Sequence, residues 1–203
     1  ATEAAPNLAL IDHLNGGTNA VARIAQGGWE FVVLQQGPTP PGICRDSLIL
    51  WTKLFDSRIR AAGARTAVFM AWPYQGPLVW FDDIEASFAQ AAAEVGGALF
   101  PVAEAWRSAL RTDPSIPLYS PDGFHPSPTG TFLAALEIYE RVTGRDVRTL
   151  PPRAFANGQP LTLPEATIRL LQSAAHDASS RYPASATPAA ASNAAAHASS
   201  TRC

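Results

Sequence analysis

The stretch SPDGFHPSPTG, Ser120 to Gly130, sets an acid and a histidine three residues apart in a polar, proline-broken loop. Asp122 and His125 are the residue types there that could do chemistry. A histidine titrates near neutral pH, so it can take a proton from a hydroxyl and hand it to a leaving group. It does so best when a carboxylate accepts a hydrogen bond from its other ring nitrogen, which fixes the tautomer and stabilises the imidazolium. One turn of loop is short enough for Asp122 to serve His125 in this way, and Pro126 stiffens the exit. The spacing alone leaves a second reading open: Asp122 as a turn former beside a helix start, and His125 as a solvated loop residue.

The elements that must position the loop follow from the apolar pattern. Phe31 to Leu34 is a short apolar run closed by Gly and Pro, which predicts a buried strand with a loop after Gln35. RDSLILWTKLFDSRIRAAG carries Leu48, Trp51, Leu54, Phe55 and Ile59 at helical spacing and stops at Gly63. Arg65 to Trp72 predicts a second buried strand. A helix from about Leu78 to Val95 follows, with Phe81, Ile84, Phe88 and Val95 on one face and Asp82 and Asp83 as a solvated pair at its start. ALFPVAEAW reads as a short third strand, after which the chain loops to Ser120. A core helix is predicted over about Pro128 to Val142, ending at Gly144, and another over LTLPEATIRLLQSAAHDA, with a capping box from Thr162 to Glu165. Strands alternating with helices over short loops indicate an α/β protein, a parallel sheet with helices on both faces in a three-layer α/β/α arrangement. Reactive groups in such sheets collect at the carboxyl ends of the strands.

Composition narrows the classes. With 203 residues, 47% hydrophobic and 16% charged, the chain can build a substantial core. A net charge of −2 without a basic cluster argues against a nucleic-acid partner. No apolar run approaches the ~20 residues that span a bilayer. No Cys/His cluster has metal-ligand spacing, so neither metal nor cofactor is expected. A flavodoxin-like nucleotide binder would need a Gly-rich phosphate loop, which the sequence lacks. Cys44 and Cys203 say nothing about redox compartment, and His13 reads as a surface or structural histidine. From Ser179 the chain is Ala/Ser/Pro-rich and is expected to be disordered. The expected organisation is a domain over 1–146, a helical extension over 147–178 and a tail over 179–203. His176 and His197 then fall outside the domain.

SPDGFHPSPTGTFLAALEIYERVTG closely resembles the last block of the SGNH (GDSL-like) hydrolases, in which D-x-x-H-P followed by x-x-x-G opens the C-terminal helix. The match covers Asp122, His125, Pro126 and Gly130. LIDHLNGGTNAVARIAQGGWEFVVLQQGP is similar to a second stretch of a subgroup of these enzymes, W-[DE]-x-V-V-L-Q, and the resemblance spans roughly Leu8 to Asp146. It implies a flavodoxin-like SGNH-hydrolase fold and a serine ester hydrolase working through an acyl-enzyme. His125 would be the base and Asp122 its orienting acid. It also implies an oxyanion donor at the LQQGP loop: the Gln35 or Gln36 side-chain amide, assisted by the Gly37 backbone. Gln36 is the favoured one, because Gly37 beside it gives the backbone room to turn.

The resemblance leaves one block unmatched. The family's nucleophile lies in a G-[DN]-S motif after its first, central strand, and only ATEAAPN precedes the LIDHL region. CRDSLIL spells D-S-L at Asp46 to Leu48, but Ser47 starts an amphipathic helix and follows the segment it ought to precede. We therefore expect an N-terminally incomplete domain, without the nucleophile and the first strands of the sheet, and a chain of doubtful activity by itself. A small-molecule or carbohydrate ester is the expected substrate class. Trp72, Tyr74 and Trp80 could line an acyl or sugar subsite or be core. The alternative function is a non-catalytic α/β remnant that binds a carbohydrate or acyl ligand or packs in an assembly. Relatives are often exported, yet the start ATEAAPNLAL has no signal pattern, so localisation and oligomeric state stay open.

Overall fold

The computed structural model describes residues 1–156 and 158–182. In chain order it contains α1 (Leu10–Leu14), α2 (Ala20–Ala25), β1 (Phe31–Gln35), α3 (Ile43–Ala61), β2 (Arg65–Phe69), α4 (Trp80–Glu94), β3 (Ala98–Phe100), α5 (Val102–Thr112), α6 (Pro128–Thr143), β4 (Ala154–Ala156), β5 (Gln159–Leu161) and α7 (Glu165–Arg181). The expected α/β class with a parallel sheet is present. Three strands lie in the order β1-β2-β3, and β1 and β2 pair in parallel with Phe31 opposite Arg65 and Gln35 opposite Phe69. β4 and β5 form a separate antiparallel pair. Among the described residues no helix is long and apolar enough to cross a membrane.

The chain divides into two compact units, one of residues 1–71 and 86–99, the other of residues 72–85 and 100–182. In the first unit, β1, α3 and β2 form a βαβ segment. Leu48, Trp51, Phe55 and Ile59 recur at helical spacing along α3 and are all buried. Leu54, expected on that face, is exposed. Asp56, buried in α3, accepts from Thr66 Oγ1 and Arg60 Nε, both at 2.6 Å, and Arg60 also donates to the Val95 carbonyl. One acid thus ties α3 to the first residues of β2 and to the end of α4. Gly63, at φ +75°, ends the helix as its sequence position predicted.

In the second unit, α5, α6 and α7 pack on one another. Here the structure corrects the sequence reading. The third strand stops at Phe100, and Pro101 caps a helix through residues expected to be strand and loop. Val102, Ala105, Trp106 and Ala109 are its buried stripe; the β-like ALFPV run ahead of it hid a pattern of helical period. The capping box from Thr162 does not form. Pro164 is the N-cap, because a residue before proline is kept extended and Leu163 cannot take a helical turn. The β4–β5 pair was missed, although the Asn157-Gly158 dipeptide is a hairpin signal. Ser179 to Arg181 were expected to be disordered and are helical, with Ser179 buried against Glu137. The rest of that tail, His197 included, lies outside the described residues.

Glu137 of α6 is wholly buried. Its Oε1 accepts from Ser179 Oγ of α7 at 2.8 Å, while its Oε2 has no partner. Burial pushes the carboxyl up to about 8 against the pull of Ser179 and the Arg141 cation, and Glu140 adds to the rise. The folded state therefore prefers the neutral acid. Its contribution is complete below the ordinary carboxyl range and is lost as pH rises through about 8. Unfolding midpoints measured from mildly acidic to mildly alkaline pH should fall for the wild type by on the order of 3 kcal/mol more than for Glu137→Gln, which stays neutral throughout. Identical pH profiles for the two proteins would refute the assignment.

Candidate functional site

The loop from Leu118 to Ser127 is a closed turn of the second unit. Ser127 N donates to the Leu118 carbonyl and Ser120 N to the His125 carbonyl, both at 2.8 Å, with a bridge between Tyr119 and Pro126. Ser120 Oγ donates to the Pro126 carbonyl at 2.9 Å. Gly123 sits at the tip at φ +67°, a conformation that side chains other than glycine's rarely allow. Asp122 organises the tip of the loop. Its Oδ1 accepts from Phe124 N at 2.9 Å and His125 N at 3.0 Å, and its Oδ2 lies 2.6 Å from His125 Nδ1. The histidine bond foremost, then those backbone amides, hold its carboxyl down at about 2, so it is an ionised acceptor at any ordinary pH. With Nδ1 engaged and the His125 side chain 70% exposed, Nε2 is the ring nitrogen left for chemistry.

Trp72 after β2, Trp106 of α5 and the loop's own Tyr119 brace this loop, and spacing could not have revealed their meeting. Trp72 and Trp106 stack with centroids 3.9 Å apart and planes 5° from parallel, and Tyr119 meets Trp106 edge-on at 4.8 Å. Trp72 Nε1 donates to the Phe124 carbonyl at 3.0 Å, one residue before His125. Tyr119 OH donates to the Pro73 carbonyl at 3.0 Å, and burial pushes its phenol up, so it stays a donor. Trp72 is thus support, buried beneath the loop, whereas Tyr74 and Trp80 are exposed, and Tyr74 stacks on Phe124 at 4.4 Å. Ser127 caps α6 by accepting from Gly130 N at 3.1 Å, with Pro128 in the first turn. Gly130 explains its place in the pattern: a Cβ there would stand 2.3 Å from the Leu118 carbonyl and 2.6 Å from the Trp106 ring.

The other residues singled out from the sequence lie in the first unit. Gln35 ends β1 and is exposed; Gln36 is buried. Gln36 Oε1 accepts from Leu10 N at 3.1 Å, leaving Nε2 buried without a partner. Gly37 follows in the loop, with nothing within 4 Å of its Cβ direction. Ser47 is buried within α3. His13 bonds Thr18 Oγ1 at 2.7 Å, a structural contact. In the second unit Asp82, expected to be only solvated, also accepts from Arg107 at 2.5 Å. Glu140, Asp146 and His176 bring three possible metal-ligand atoms within 4.8 Å of one another. Arg148 pairs with Asp146 at 2.7 Å, and Glu140 accepts from Val147 N and faces His176 at 2.9 Å, so these side chains already clasp the chain around Val147.

Two measurements test this geometry. Long-range proton–nitrogen spectra at mildly alkaline pH should show neutral His125 carrying its proton on Nδ1. In Asp122→Asn the Nε2–H tautomer should gain population, because the amide can donate where the carboxylate only accepts. An unchanged tautomer ratio would separate the two side chains. Gly130→Ala should cost about 2 kcal/mol in urea denaturation through forced displacement of Trp106 or Leu118; a neutral effect would show that the contact can yield.

No family profile and no curated protein matches the sequence. Two solved structures do. One is a DUF4886 family protein from Bacteroides uniformis ATCC 8492, with a TM-score of 0.64 at 19% identity, over 83% of this chain and 68% of that one. At that identity the likeness concerns the fold. The other is described as a "putative SGNH hydrolase" from Slackia heliotrinireducens, with a TM-score of 0.56 at 32% identity, over 67% of this chain and 80% of that one. With the D-x-x-H-P-x-x-x-G loop, its Asp–His contact and the parallel α/β sheet in place, the chain belongs to the SGNH hydrolase-like family.

Proposed function

We propose that the protein is built for ester hydrolysis, with His125 as general base and Asp122 as the acid that orients it. The observation that carries this reading is the 2.6 Å contact between Asp122 Oδ2 and His125 Nδ1, made by a carboxylate whose other oxygen is fixed by two backbone amides. In the chemistry the family implies, Nε2 takes the proton of a serine hydroxyl as its oxygen attacks the ester carbonyl. The tetrahedral intermediate then collapses, and the alcohol leaves with that proton. Water repeats the sequence on the acyl-enzyme. No cofactor takes part. Gln36 is our choice for oxyanion donor, since its carbonyl is held by Leu10 N and its amide hydrogens are buried and unspent. We assign the nucleophile to no serine of this chain; Ser47, inside a helix, is not a candidate.

Turnover of p-nitrophenyl esters tests these roles, in a chain that supplies the family's first block. His125→Ala should lower kcat by several orders of magnitude and Asp122→Asn by less, because one moves the proton and the other orients the ring. Gln36→Ala should lower kcat by about 10²-fold with KM little changed, and Gln35→Ala should do less. Ser47→Ala should leave turnover unchanged. Activity indifferent to His125→Ala would favour a ligand-binding role, and activity abolished by Ser47→Ala in a folded protein would overturn the assignment of the nucleophile.

A further inference from the structure

A cavity of about 550 Å³ opens in the second unit beside the dyad loop, within the range of small-molecule sites (~300–1,000 Å³). Its wall is formed by Leu78, Leu110, Ile116, Pro114, Pro117 and Pro121, and Ser120 and Pro121 run directly into Asp122. On its other side Gln75 is tied to the same loop, its N donating to the Gly123 carbonyl at 2.8 Å.

The hydroxyl donors of this wall and four of its backbone amides are already engaged within the protein. Ser115 Oγ donates to Asp113 at 2.6 Å, Ser120 Oγ to the Pro126 carbonyl at 2.9 Å and Tyr119 OH to the Pro73 carbonyl at 3.0 Å. The amides of Ser115, Ile116, Leu118 and Ser120 donate to Asp113 Oδ1 and to the carbonyls of Asp113, Ile116 and His125. The prolines have no N–H to offer. A sugar entering here would give up water at its oxygens and find few free donors to replace it, which is costly; an alkyl or aryl group would give up nothing.

We propose that this cavity receives the apolar arm of the ester, so that the protein selects esters of apolar acids or alcohols rather than esters of sugars. This rests on the hydrolase reading, and its link to it is the loop that lines the cavity with Ser120 and Pro121 and continues into Asp122 and His125. The Gln75 amide is the polar group at its rim.

Proton–nitrogen correlation spectra of the full chain, titrated with octanoate, 1-octanol and methyl glucoside, test it without requiring turnover. Octanoate or octanol should shift the resonances of Gln75, Leu110, Ile116 and Tyr119, and the glucoside should not. Tighter binding of octanoate places the acyl arm in the cavity, and tighter binding of octanol the alcohol arm. Leu78→Gln, in the exposed loop, should weaken the binding by about ten-fold. Leu110→Gln should do the same, with circular dichroism reporting whether each variant folds. Octanoate and octanol that leave these resonances unmoved at millimolar concentration, or glucoside that moves them, would overturn the proposal. Binding retained in a chain that supplies the family's first block and yet turns over no ester would instead count against the hydrolase reading alone.

Discussion

A single ionised carboxylate organises the dyad loop. Asp122 accepts from two successive backbone amides and from the His125 ring, so the same charge that would orient the base also folds the segment carrying it. A neutral amide at that position would accept with its oxygen alone, whereas the carboxylate meets all three incoming groups with acceptors. Local folding by itself therefore constrains the residue choice here.

Beneath the loop, rigidity comes from aromatic surface. The stacked Trp72 and Trp106 rings and the edge of Tyr119 are large, flat and short of rotamers, so they fix the Phe124 carbonyl with little entropy left to lose. Gly130 lets the first turn of α6 lie against that platform. Histidine, helix cap and indole stack are thus parts of one support, built from residues 72 to 130 of the sequence.

Legibility in the sequence divides along physical lines. α3 was legible because it buries one regular stripe, β2 because its apolar run is buried almost throughout, and α6 from its proline start and Gly144 stop. β1, expected to be a buried strand, buries only Leu34 and exposes Val33. Asp122 and His125 were legible because they are close in sequence and joined by a turn. α5 was not, because Ala98 to Val102 has the composition of a strand while the helical period begins only after Pro101. The start of α7 was misplaced because a proline overrode a capping signal. Trp72, Trp106 and Tyr119 come from segments far apart in the chain, where no periodicity points to their meeting. Preference for Gln36 over Gln35 could be argued from Gly37, but the distinguishing fact, one buried and held and the other exposed, needed Leu10 in place.

That contact between Leu10 and Gln36 also carries a dynamic consequence. Leu10 opens α1, which has only five residues, and helices this short have little intrinsic stability of their own. Each time α1 frays, Gln36 Oε1 loses its anchor and the amide is free to rotate. Hydrogen exchange at the Leu10 amide therefore reports how firmly a side chain 26 residues away is held.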